Sequence, residues 1–266
     1  KTRFGAEPKC PKCGKPTDFL PVPGTYRFNS RCCFGTSLNP RTGTIFARSN
    51  IPLITWYRCM LYLINASNGV TISFVRKQFG ISHKAAYRML TSLREHLFRL
   101  ERVELIGEGR GQVFVDEVKF QNVKVRGGRK GIPHRLLVMT DGYRFSAIQV
   151  PRGKFAKSAK YLMECVLDNC RIEIRHAETH RKLLDFRERT RLAGCPTFLA
   201  TDPDRIEYHL LSVFAVKLKL FILKSHLWVS SGNLDGYLGH FTYLYNRRGC
   251  GETAFWEAIG CHPAMH

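Results

Sequence analysis

Acidic residues are scarce in this sequence: 21 Asp and Glu face 42 Lys and Arg, leaving a formal net charge of +21. So one-sided a charge repels itself in a compact fold unless a polyanion neutralises it. The shortage points to nucleic acid, because each basic contact to a phosphate also releases counterions. The basic residues are spread through folded-looking segments instead of one tail, so the folded body is the expected binder. Long hydrophobic runs are also missing. The longest, Phe214 to Leu223, is interrupted by Lys217 and Lys219 and is too short to span a bilayer, so no membrane partner is expected. No secretory signal opens the chain, and neither an internal repeat nor a low-complexity run interrupts it. These absences predict a cytoplasmic, nucleoid-associated protein if the source is bacterial and a nuclear one if it is eukaryotic.

What is present fits a globular protein. The hydrophobic share of 44% is too high for a disordered chain, and 266 residues accommodate one large domain and one or two small ones. Three zones differ in composition: a Cys-, Gly- and Pro-rich stretch over 1–51, helical periodicity over 52–106, and alternating strands and helices over 107–266. Glu108-Gly109-Arg110-Gly111 reads as the last boundary.

Four of the ten cysteines crowd the first zone, which points to metal rather than to a disulfide scaffold. Cys10-Pro-Lys-Cys13-Gly is half of a zinc ribbon, a turn whose amides aim at two thiolates. The second half is Cys32-Cys33. Adjacent cysteines on a strand point in opposite directions, so both reach one ion only through local distortion. If Cys33 holds the fourth place, the third falls at Ser30. Zn²⁺ on Cys10, Cys13, Cys32 and Cys33, a three-thiolate site, and a ribbon without metal all stay open.

The second zone carries a helix-turn-helix pattern between Gly69 and Leu90. A first helix sets Ile72, Val75 and Phe79 inward; Gly80 supplies the turn, Ile81 plugs the core and Ser82 caps the next helix. That second helix would bury Ala86 and Leu90 and present His83, Lys84, Tyr87 and Arg88 to a DNA major groove.

In the third zone, Gly111 to Phe120 is an apolar strand interrupted by Asp116-Glu117. An acid there is costly unless a cation, metal or basic side chain, sits on it. Strands over 134–140 and 143–150 follow, then a helix over 155–168. Strand, strand, strand, helix, strand is the RNase H-like order, with one acid on the first strand and another at the end of the fourth. For the fourth strand, Cys195 to Asp202 is preferred, since it ends in Thr-Asp. Cys170 to Arg175 is the other candidate, with Glu178 the nearest acid beyond it. Asp202 also reads as a helix cap. Arg129 and Lys130 lie in a basic Gly-rich stretch suited to DNA-backbone contact.

Several segments together resemble the Merlin-related, ISXO-like insertion-sequence transposases that carry an N-terminal zinc ribbon. They are Cys10-x-x-Cys13, Thr42-Gly43-Thr44-Ile45-Phe46, Ser49 through Trp56, the helix-turn-helix and Val115-Asp116-Glu117. Lys224 and the Leu234 to Arg248 run, ending Tyr245-Asn246-Arg247-Arg248, complete them. The resemblance implies an α/β architecture: an RNase H-like DDE-type domain behind the ribbon and reader modules. It further implies an oligomer acting on double-stranded DNA, at element ends and target. Catalysis would use Mg²⁺ or Mn²⁺ held by Asp116 and Asp202. The third position, Glu, Asn or His in relatives, falls on Lys217 here; Glu207 is the alternative third acid.

Overall fold

In the computed structural model, the structure describes residues 9–10, 12–23, 27–33, 35–38, 41, 44–47, 49–67, 69–107, 111–120, 134–150, 155–166, 170–190, 197–200, 204–226, 229 and 231–259. Contacts divide the chain into two compact units, Lys1–Leu61 with Phe255–His266, and Tyr62–Ala254. The fold is mixed α/β.

The first unit contains a small antiparallel sheet of β1 (Phe19–Pro21), β2 (Phe28–Ser30) and β3 (Ser37–Leu38), in that order. Strands of two or three residues bury almost nothing, so something other than a core must hold them. The segments around residues 44–47 and 49–57 meet here: Phe46 packs edge-on against Trp56 at 5.5 Å and Tyr57 at 5.6 Å. The Trp56 indole donates to Ser49 Oγ, and Arg41 donates to the Ser49 carbonyl. Helix α1 (Leu53–Asn65) starts at this point.

In the second unit, α2 (Ile72–Phe79) and α3 (His83–Val103) are joined by a tight turn. Thr71 caps α2 by accepting from the Phe74 amide, and Ser82 caps α3 by accepting from the Ala85 amide. Gly80 sits at φ 63°, the left-handed conformation glycine adopts freely, and so ends α2. Val75 is buried, and half-buried Phe79 lies against Tyr62.

The main sheet has the order β6-β5-β4-β7-β8, from β4 (Gln112–Phe120), β5 (His134–Thr140), β6 (Phe145–Val150), β7 (Arg171–Ile174) and β8 (Thr197–Ala200). β4, β5 and β6 pair antiparallel, whereas β7 and β8 run parallel to β4. β4 is central and covered on both faces, which is why it reads as an apolar run. Val113 and Val115 face a core with Ala159 and Leu162 of α4 (Phe155–Cys165) and Leu183 of α5 (Ala177–Thr190). Phe114 faces the other core, with α6 (Ile206–His226) and α7 (Ser231–Asn246).

Helix α3 packs along α7 closely enough that glycine is required. A methyl at Gly239 would lie 2.4 Å from the Phe98 Cα. The far end of this contact is ionic. Arg247 reaches Glu101 and Glu104, while the Asn246 side chain bonds Glu101 and both backbone groups of Phe145 on β6. Burial pushes the Glu101 carboxyl up; Arg247 and Arg144 oppose it. The Tyr-Asn-Arg-Arg segment therefore clamps α3 to the sheet. Helix α8 (Gly251–Ala258) follows.

Candidate functional site

Among the described residues, ligand-type side chains cluster in each unit. In the first, the sulfurs of Cys10, Cys13, Cys32 and Cys33 all lie within 4.8 Å of one another. The knuckle follows from Gly14, whose amide donates to the Cys10 carbonyl at φ 71°. The objection raised by adjacent cysteines dissolves because β2 ends at Ser30 and residues 31–33 form a bend. Off the strand, Cys32 and Cys33 need not alternate. Ser30 is buried and its hydroxyl stands 3.2 Å from Cys32 Sγ, so it supports the cluster as a hydrogen-bonding neighbour.

Crowding splits the acidities of Cys10, Cys32 and Cys33. The Ser30 hydroxyl, with the Cys13 amide, brings Cys10 down to about 6, and the same hydroxyl lowers Cys32. Contact with Cys13, with burial, pushes Cys33 up to about 12. A divalent cation would remove that conflict, since it favours the thiolate at all four. Four thiolates in one first shell match the donor set of structural Zn²⁺. The four cysteines could thus hold a metal ion.

The second cluster lies on the α6 face of the main sheet. Asp116 of β4 and Glu173 of β7 are both buried on that face, with Glu173 paired in register with Phe114, two residues before Asp116. Asp116 Oδ1 accepts from the Glu117 amide at 2.8 Å and lies 3.1 Å from His176 Nε2; Oδ2 is 3.4 Å from Arg175 Nη1. Glu173 is gripped through both oxygens by Arg205, at 2.8 and 2.9 Å. Glu207, buried in the first turn of α6, lies 4.0 Å from Arg205 Nε. Tyr208 is buried beside them, and its hydroxyl has no hydrogen-bond partner among the described residues. Burial pushes this phenol up, and Glu173 and Asp116 push it further.

Glu117 points to the opposite face. It binds Arg135 through both oxygens, at 2.8 and 2.6 Å, and accepts from Thr179 Oγ1. Burial alone would raise its pKa, but these bonds outweigh burial and hold it below the ordinary carboxylate range. It is a structural ion pair.

The fourth-strand expectation needs correcting. Arg171–Ile174 lies beside β4, and Thr197–Ala200 lies outside it, paired with β7. Hydrogen bonding decided this, through Arg171 N to Gly111 O and Arg175 N to Val115 O. Asp202, Arg129 and Lys130 lie outside the described residues. Lys217 is exposed on α6, 5.6 Å from the Tyr245 ring centre. Glu173, Arg175, His176, Arg205 and Tyr208 were not singled out from sequence. Ile-Glu-Ile carried the same signal as Val-Asp-Glu-Val, an acid inside an apolar strand.

On α3, His83, Lys84, Tyr87 and Arg88 are all exposed along one face, while Ala86 and Leu90 are buried. The Tyr87 hydroxyl accepts from Asn233 of α7 at 3.2 Å. Among the described residues, no helix is long and apolar enough to cross a membrane. Comparison with protein-family models and with curated proteins returns no match for this chain.

Proposed function

We propose that this chain is a DNA transposase, cutting element ends and joining their 3′ ends to target DNA by metal-dependent phosphoryl transfer. The observation that carries the proposal is a buried carboxylate, Asp116, on the central strand of a helix-covered sheet, in a chain of charge +21. The strand order, with three antiparallel strands and two parallel ones beyond the first, supports an RNase H-like reading. A divalent ion there would activate the attacking oxygen and stabilise the leaving one. Carboxylate oxygens are the right donor type for Mg²⁺ or Mn²⁺. Asp116 would hold the ion; Asp202, expected as its partner, follows the outer strand β8 in sequence and not β7, the neighbour of β4.

The two capped helices α2 and α3 support a helix-turn-helix reader, with His83, Lys84, Tyr87 and Arg88 directed to the major groove. Phosphate contacts there set the salt dependence. The thiol cluster supports a zinc ribbon as a second reader. Paired element ends call for an oligomer of this chain.

A specific observation favours a second reading, a transposase-derived DNA-binding protein without catalysis. Arg175 and His176 already contact Asp116, Arg205 engages Glu173, and a lysine stands at the expected third ligand position. The test is incubation with Mg²⁺ or Mn²⁺ and DNA carrying the element ends. Joined products that vanish in Asp116→Ala are expected; binding with neither cleavage nor joining overturns the transposase in favour of the silent reader. In the same assay, Lys84→Ala with Arg88→Ala should shallow the log–log salt slope by about 2. An unchanged slope removes that face from the interface.

A further inference from the structure

On one sheet face the chain buries carboxylates from two neighbouring parallel strands, and every one has a basic group against it. Asp116 meets Arg175 and His176; Glu173 meets Arg205, which also approaches Glu207. Buried acids are costly unless something cationic offsets them. Here arginine does so, yet imperfectly. The Asp116–Arg175 contact is long at 3.4 Å, and the Arg175 and Arg205 side chains remain 34% and 39% exposed. Those side chains therefore reach solvent far more than the acids do, at 9% and 6%.

Within the fields of these groups lies a polar atom that the ion pairs do not serve. The Tyr208 hydroxyl is buried, has no hydrogen-bond partner among the described residues, and lies within the fields of Glu173 and Asp116. A buried hydroxyl without a partner in a charged cluster calls for a further group, and an ion is one. Oxygen donors from Asp116, Glu173 and Tyr208 suit a hard divalent cation.

We propose that Asp116, Glu173 and Tyr208 form a divalent-cation site whose place Arg175 and Arg205 hold until a DNA backbone draws them away. The inference rests on the DNA-binding reading above and adds Glu173 as a ligand and the two arginines as a latch. A guanidinium and a metal ion cannot share the same carboxylate oxygens without like-charge repulsion. Phosphate offers the guanidinium an equal or better partner, because its oxygens match the planar fork of donors. DNA thus opens the site, and a bound cation frees the arginines for DNA. Linkage makes the two effects equal in size.

The test is Mn²⁺ titration of the full zinc-loaded chain, followed by the electron paramagnetic resonance signal of free Mn²⁺, with and without duplex DNA. Zinc on the thiols keeps Mn²⁺ away from the ribbon. DNA should tighten Mn²⁺ binding by roughly tenfold, and Mn²⁺ should tighten DNA binding by the same factor. Arg175→Ala should raise Mn²⁺ affinity without DNA and shrink the effect of DNA; Arg175→Gln, which keeps the side-chain length, should do the same if the alanine variant folds poorly. Glu173→Gln should abolish binding in both conditions. Mn²⁺ affinity indifferent to DNA and to both Arg175 variants overturns the latch, and full Mn²⁺ binding by Glu173→Gln overturns the site. Transposition that persists alongside such indifference leaves the transposase standing without the latch. DNA-coupled Mn²⁺ binding with no cut or joined strand leaves the latch and removes the transposase.

Discussion

Cys10, Cys13, Cys32 and Cys33 crowd four acids of one kind into a space less than 4.8 Å across, whereas Asp116 and Glu173 each meet an arginine. In the first cluster the acidities split, with Cys10 at about 6 and Cys33 at about 12. In the second, charge is balanced from within the chain. A group of like acids calls for an ion from outside; a group matched with guanidinium can fold without one. The surroundings agree with this difference. The strands beside the cysteines are two or three residues long, but the acid cluster lies on a five-stranded sheet with a core on each face.

The largest test of that contrast compares the chain with and without a metal ion on the four cysteines. If the cluster holds zinc, chelation should unfold the Cys-rich module, since a structural zinc contributes about 10 kcal/mol or more to folding a domain with so little core. The main unit should melt as before. Two-dimensional NMR would read this, and ribbon peaks that stay dispersed without metal would break the contrast. Next in size is Arg205→Ala, which leaves Glu173 buried without its guanidinium. A loss of about 2 kcal/mol is expected, below the usual range for breaking a buried pair because Arg205 is over a third exposed. Adding Glu173→Gln should restore most of the thermal midpoint; if it restores none, charge balance is not what the pair supplies. Smallest is Ser30→Ala. Losing the hydroxyl beside Cys32 should weaken zinc roughly tenfold, the lower end of what a supporting neighbour contributes. Unchanged affinity in a competition assay would remove Ser30 from the site.

Much of this was legible along the chain. The turn at Gly80, the cap at Ser82 and the long helix through Leu97 follow from local chemistry and periodicity. So does the strand carrying Asp116. The adjacent cysteines misled because alternation was applied where the strand had already ended at Ser30. The fourth strand misled for a different reason. Two short apolar runs competed, and a Thr-Asp ending says nothing about which of them hydrogen-bonds to β4.

Residue types and their local order set the kinds of chemistry on offer: a thiol-rich module, a basic body, capped helices and an acid within an apolar strand. These depend on residue type, nearest neighbours and periods of 2 or 3.6, all of which lie within a few positions. Long-range packing is what joins Glu173 to Asp116, sets Arg175, His176 and Arg205 against them, and clamps α3 with Asn246 and Arg247. Such partners are separated along the chain and are chosen by strand register and packing. A shift of one residue in register would turn Glu173 to the opposite face.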